Sequence, residues 1–255
     1  MAGAQLICVD LDGTCVRNVP RLEVHPDFAE RITAWHADGI RWVMNSDRPV
    51  EHMELMASYL APADRPAALL CRQRDIFLLA EDGTYAPHVD WNQEQKRIHE
   101  ELWSDIFQHF PAWSGTIESR FVVEKAFVDA ETFAYCVPVE QIEPLRALMR
   151  EWIAPYPLAQ VSGNDVWSFI LHASFSKRRV LQECLRVIEL APDSVIAVGD
   201  GINDLTMLDG SVTPRVGCPA NADTTVKETV QAAGGLIAAG EIAAGTLEVI
   251  EHWLR

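Results

Sequence analysis

The sequence predicts an α/β protein, a parallel-sheet core of alternating strands and helices interrupted once by an α+β insert. Three observations predict it. Short apolar runs alternate with amphipathic helical patterns at both ends of the chain, the middle bunches strands between helices, and the apolar runs at the two ends finish in loops rich in acids and glycine.

Gln5 to Val9 is apolar and of strand length, and a helical pattern through Phe28, Ile32 and Trp35 follows, with Pro26 near its start and Gly39 at its stop. Ile40 to Met44 reads as a second strand and Val50 to Leu60 as a second helix. Ala68 to Cys71 and Ile76 to Leu79 read as further strands, in an alternation that points to right-handed βαβ units. From about Glu81 the order changes to a turn at Glu81-Asp82-Gly83 and a helix near Gln93 to Phe110. Strand-like runs follow at Phe121 to Asp129 and Phe133 to Val137, then a helix after Pro138 and two more strand-like runs. Alternation returns with a helix over Lys177 to Leu190, a strand over Val195 to Val198, a helix over Asp204 to Leu208, a strand over Pro214 to Val216 and two closing helices. The expected organisation is a discontinuous core over 1–82 and 171–255, with the insert over 83–170.

The 255 residues are 49% hydrophobic, enough for a sizeable core. No apolar run reaches the roughly 18 residues of a membrane span, and the first thirty residues lack the pattern of a secretory leader. The six cysteines are scattered without paired spacing, which favours buried reduced thiols and makes the cytoplasm the expected location. Lys and Arg number 21 against 37 Asp and Glu, a net charge of −16, so the chain lacks the footprint of a nucleic-acid binder. Any phosphate site must therefore carry its own positive charge. Oligomeric state is not legible.

In an open parallel sheet, ligands gather beyond the carboxyl ends of the strands. The first strand ends in Asp10-Leu-Asp12-Gly13-Thr14, the second in Asn45-Ser46-Asp47-Arg48, and the strand at Val195 in Gly199-Asp200-Gly-Ile-Asn203-Asp204. Carboxylates crowded at one edge repel one another unless a cation sits among them, and a hard divalent ion such as Mg²⁺ resolves the conflict. Lys177 opens a late helix and can bring one ammonium to the same edge. Metal, lysine and the Ser46 hydroxyl make a cradle for a phosphoryl group. One Asp can then attack phosphorus while the other moves the proton.

In order, "DLDGT" at Asp10 to Thr14, Ser46, Lys177 and "GDGINDLTML" from Gly199 to Leu208 resemble the four motifs of the haloacid dehalogenase superfamily. The insert resembles the class IIB cap of its Cof-type, sucrose-phosphatase and trehalose-phosphatase branch. The resemblance implies a Rossmann-like core and a Mg²⁺-dependent phosphatase acting on a small phosphorylated metabolite, such as a sugar phosphate, through an aspartyl-phosphate. Asp10 would be the nucleophile and Asp12 the general acid and base, and Lys177, the third catalytic residue, would hold the phosphate with Ser46. Asp10, Gly13, Ser46, Asp47, Lys177 and Asn203 would surround the phosphate, and Asp10, Asp12, Asp200 and Asp204 the metal. Two alternatives stay open: a phosphomutase of the same superfamily, and a non-catalytic regulatory or binding protein retaining the fold.

Three departures from the resembling pattern stand out. Asp47 replaces the usual Gly after the second-motif hydroxyl, and its side chain is expected to turn toward Arg48 or the cap. Arg178 replaces the Gly after the lysine, and Phe169 and His172 replace an acidic residue and a Pro, which points to a different substrate surface. Trp91, Trp113 and Trp167 are assigned to packing, and Arg72, Arg74, Arg120 and Lys125 to solvated faces.

Overall fold

Leu6, Ile7, Cys8 and Val9 are all buried, and successive side chains point to opposite faces, so this strand needs apolar cover on both sides. The computed structural model describes residues 3–17, 23–164 and 166–255. It divides the chain into two compact units, Met1–Asn92 with Ser176–Arg255, and Gln93–Phe175.

In chain order the first unit begins with β1 (Leu6–Val9), the antiparallel pair β2 (Val16–Arg17) and β3 (Glu23–Val24), α1 (Phe28–Ala37), β4 (Arg41–Ser46), α2 (Val50–Leu60), β5 (Ala68–Cys71), β6 (Asp75–Leu79) and β7 (Tyr85–Pro87). α3 (Val89–Ile106) follows. The second unit continues with α4 (Phe110–Arg120), β8 (Lys125–Val128), β9 (Phe133–Cys136), α5 (Val139–Ile153), β10 (Ala159–Gly163) and β11 (Trp167–His172). The first unit resumes with α6 (Lys177–Val187), β12 (Val195–Val198), α7 (Leu205–Leu208), β13 (Arg215–Cys218), α8 (Thr224–Ala232), β14 (Leu236–Ile237) and α9 (Ile242–Leu254).

The first unit is built on one sheet of order β14-β13-β12-β1-β4-β5-β6-β7. It is parallel from β14 to β5 and antiparallel from β5 to β7. Ile7 and Val9 enter a core with residues of α1, α2 and α9, whereas Leu6 and Cys8 enter a second core with residues of α6, α7 and α8. The helices that close these two cores form the outer layers of a three-layer unit around the sheet. The second unit carries an antiparallel sheet of order β10-β11-β9-β8, on which Leu102, Phe110, Trp113, Phe133, Tyr135, Leu145 and Met149 form a separate core.

Several sequence expectations need correcting in detail. β6 joins its neighbours antiparallel, through the three-residue turn Arg72-Gln73-Arg74, so the alternation of βαβ units stops at β5. The apolar run that suggested one helix ending at Phe110 resolves into α3 and α4, because Pro111 sits in the first turn of a new helix. The short strands β2, β3, β7 and β14 are not legible in the sequence, because runs of two or three residues carry too little periodicity. β7 pairs with β6, which places residues 83–92 with the first unit. All six cysteines are buried and unpaired.

β1 is flanked on both sides by parallel strands, with Val9 opposite Val198 of β12 and Met44 of β4. β1 and β12 end at one level, and β4 runs two residues further, to Ser46, at the same end of the sheet. Ile7→Ala in this central strand removes buried methyl groups from the α1, α2 and α9 side; the expected loss is about 2–5 kcal/mol, read as a lower urea midpoint at unchanged slope.

Candidate active site

The backbone N–H of Asp10 donates to Val198 O at 2.9 Å, extending the β1–β12 ladder by one residue and leaving the side chain at its end, 4% exposed. Lys177, the first residue of α6, is fully buried. Its position is set by Ser176, whose Oγ caps the helix by accepting from Arg179 N at 3.2 Å. Lys177 Nζ donates to Asp10 Oδ1 at 2.5 Å and to Asp204 Oδ1 at 2.7 Å. Burial opposes the ammonium charge, but Asp10, Asp204 and Asp47 outweigh it and hold Lys177 above the ordinary lysine range. Burial, reinforced by Asp204, Asp200 and Asp12, pushes the Asp10 carboxyl well above the usual carboxylate range despite the pull of Lys177.

Asp204 is fully engaged. Its Oδ1 accepts from Lys177, and its Oδ2 accepts from the backbone N–H groups of Asp200 and Gly201, both at 3.0 Å. It thereby folds the loop after β12 back on itself. Asp200 Oδ1 accepts from Thr14 Oγ1 at 2.6 Å, which ties that loop to the one after β1. The approach is close enough that a Cβ on Gly13, whose φ is +82°, would collide with the Asp200 carboxylate, and one on Gly199 with the Asp204 carboxylate.

Asp12 faces a different cation. Arg48 Nε donates to its Oδ2 at 2.8 Å and Nη2 to its Oδ1 at 2.7 Å, a two-pronged pair that fixes the carboxylate plane. Ser46, at the end of β4, is 2% exposed, and its Oγ accepts from Arg48 N at 3.4 Å. The expectation that Asp47 turns toward Arg48 or the cap is therefore corrected. Arg48 is taken by Asp12, and Asp47 instead accepts from Gln73 Nε2 at 2.8 Å and Asn203 Nδ2 at 2.5 Å.

The structure thus gathers Asp10, Asp12, Gly13, Ser46, Asp47, Lys177, Asp200, Asn203 and Asp204 at the ends of β1, β4 and β12 and the start of α6. Sequence reasoning missed Gln73 and Asn45, the latter donating to Lys177 O at 3.0 Å. No pattern in a single sequence marks either one. Arg178 ties α6 to the segment after β12, donating from Nε to Thr206 O at 2.8 Å and from Nη2 to Asp209 Oδ2. Arg74, expected on a solvated face, is 6% exposed and pairs with Asp75 at 3.2 Å. Trp91 and Trp113 pack as expected, Trp91 against the first unit's core and Trp113 within the second unit's core.

One carboxylate oxygen from each of Asp10, Asp200 and Asp204 lies within 4.8 Å of the others, and Asn203 Oδ1 on the same loop is buried without a hydrogen bond. This all-oxygen donor set fits a hard divalent cation. Among the three, Asp204 has both oxygens committed to nitrogen donors, while Asp10 Oδ2 takes no hydrogen bond among the described residues.

A sequence profile of the haloacid dehalogenase-like hydrolases matches residues 67–233, more than half the chain. The chain belongs to this family. Solved structures of similar fold span nearly the whole length of this hydrolase. The sucrose-phosphatase of Synechocystis sp. PCC6803, solved with sucrose and phosphate, is 17% identical with a TM-score of 0.70, covering 99% of this chain and 98% of its own. A haloacid dehalogenase-like hydrolase from Bacteroides thetaiotaomicron is 18% identical with a TM-score of 0.66, covering 98% and 99%. A subclass IIB sugar phosphatase of the same superfamily is 14% identical with a TM-score of 0.65, again covering 98% and 99%. At these identities the likeness shows the fold. Among the described residues, no helix is long and apolar enough to cross a membrane.

Lys177→Met leaves Asp10 and Asp204 buried without their shared cation. In metal-free buffer at neutral pH the expected cost is about 3–5 kcal/mol of unfolding free energy, measured by chemical denaturation.

Proposed function

We propose that this hydrolase is a Mg²⁺-dependent phosphatase that cleaves a small phosphorylated metabolite, a sugar phosphate, through an aspartyl-phosphate on Asp10. The observation that carries the reading is the placing of Asp10: a buried carboxylate at the end of the central strand, one oxygen held by Lys177 and the other left open. The fold shared with a sucrose-phosphatase and a subclass IIB sugar phosphatase supports the substrate class.

Asp10 attacks phosphorus, forming one P–O bond as the bond to the ester oxygen breaks. Asp12, two residues on, delivers a proton to the leaving oxygen from its protonated form, which requires release of at least one prong of the pair with Arg48. It then accepts a proton from the water that attacks the phospho-aspartate, releasing inorganic phosphate and restoring Asp10. Lys177 and the Ser46 hydroxyl offset the charge of the phosphoryl oxygens, while Asp204 keeps the ammonium in place. The carboxylates of Asp10 and Asp200, with the main-chain carbonyl of Asp12, would hold Mg²⁺, which when bound offsets the negative charge shared by phosphate and carboxylates.

Residues 93–175 supply substrate selection in this reading, the part of a cap, and Phe169 and His172 give that unit side chains unlike those of the resembling branch. The six unpaired buried cysteines support a reducing compartment such as the cytoplasm. A net charge of −16 supports a small-molecule partner over nucleic acid.

The test is phosphate release across a panel of sugar phosphates and other phosphometabolites. Turnover is expected with Mg²⁺, absent after chelation, and reduced on the order of 10³-fold or more in Asp10→Asn. Isomerised product without inorganic phosphate would instead identify a mutase, and turnover that survives in Asp10→Asn would refute the nucleophile.

A further inference from the structure

Asp47 is the one acid of the cluster that the phosphatase reading gives no side-chain task. Its carboxylate bridges two loops: Oδ1 accepts from Gln73 in the β5–β6 turn and Oδ2 from Asn203 after β12. A carboxylate can only accept, so this contact dictates which way the Asn203 amide faces. The nitrogen points to Asp47, and Oδ1 is buried with no hydrogen bond of its own.

The turn that delivers Gln73 is strained. Arg72 and Gln73 both have positive φ, 53° and 57°, and Arg74 N closes the turn onto Cys71 O at 3.0 Å. Side chains with a full Cβ pay a steric cost in the left-handed region, which is why Gly and Asn dominate such positions, yet here Arg and Gln occupy two in succession. Strain of this kind persists where the surroundings over-determine it, and it concentrates at functional sites. Here the strained residue is 4% exposed and turned onto Asp47.

We propose that Asp47 and Gln73 are positioning residues that act through Asn203, holding its amide so that the second Nδ2 hydrogen, and not the acceptor oxygen, serves the phosphoryl end of the substrate; the assignment rests on the phosphatase reading above. Gln73 supplies the donor that holds Asp47, Asp47 supplies the acceptor that holds Asn203, and the constraint on the β5–β6 turn keeps the chain of contacts in register. Asp47 and Gln73 thus form a matched pair. Replacing either alone breaks the chain, whereas exchanging donor and acceptor across it does not.

The experiment measures inorganic phosphate binding by titration calorimetry in the presence of Mg²⁺, with turnover of an aryl phosphate in parallel and thermal unfolding as the folding control. Gln73→Glu sets two carboxylates against each other, and Gln73→Ala removes the donor without adding charge. Each is expected to weaken phosphate binding about 10-fold, the scale of a lost hydrogen bond to a charged group. The double variant Asp47→Asn with Gln73→Glu restores a donor and an acceptor across the same contact and leaves Asn203 an oxygen. Recovery to within about threefold of the original affinity is expected. Binding unchanged in both single variants, or a double variant no better than Gln73→Glu, would overturn the proposal. A purely structural role would lower the thermal midpoint without this specific recovery. Asp10→Asn in the same series separates the two readings: if it still turns over the aryl phosphate, the phosphatase reading has failed, and if it is inactive while the Gln73 variants bind phosphate normally, only the positioning proposal has.

Discussion

The rest of the site depends on one ammonium with no access to water. Lys177 Nζ lies between Asp10 and Asp204, and a cation buried this completely is tolerable only because carboxylates face it. The converse holds equally. Without it two buried carboxyl groups would be left with no cation between them, so the first residue of α6 and the loops after β1 and β12 are mutually required. Asp204 adds a second duty by accepting two backbone N–H groups, so the charge that anchors the lysine also shapes the loop.

Parallel register brings these groups together. Val9, Val198 and Met44 lie side by side; the chain leaves the sheet after Val9 and Val198, and after Ser46 in β4, at the same end of the strands. Freed polar groups there need partners, and short polar side chains supply them, as Thr14 does for Asp200. Two apolar layers cover the faces of the sheet, so the edge is where charge can concentrate. The local excess of carboxylates over Lys177 and Arg48 accords with a divalent cation among them.

Asp47 shows how a site absorbs a residue that a family pattern does not provide. Beside a phosphate cradle an extra carboxylate is unfavourable on charge alone, and burial pushes it above its usual range, but two amide donors and the nearby lysine offset that cost. Arg48, the nearest cation in sequence, is held in a two-pronged pair with Asp12. The geometry of that pair decides the competition, since a guanidinium fork matches one carboxylate plane.

The sequence by itself determined the parts of this protein that local pattern carries. Buried strands of four residues, such as Leu6–Val9, Ala68–Cys71 and Val195–Val198, are legible because they are unbroken apolar runs closed by turn residues. Asp10, Asp12, Asp200 and Asp204 are legible because acids at such ends have few structural reasons to be there. Tertiary structure alone decided which partner each charge took. Arg48 with Asp12, Gln73 with Asp47 and Asn45 with the Lys177 carbonyl join residues 26 to 132 positions apart. The antiparallel addition of β6 and β7 was likewise invisible, because a strand's direction lies in its pairing and its connection rather than in its own side chains. Periodicity and composition report which face of an element is buried; hydrogen-bond partners are chosen by distance and angle, which exist only once the chain has folded.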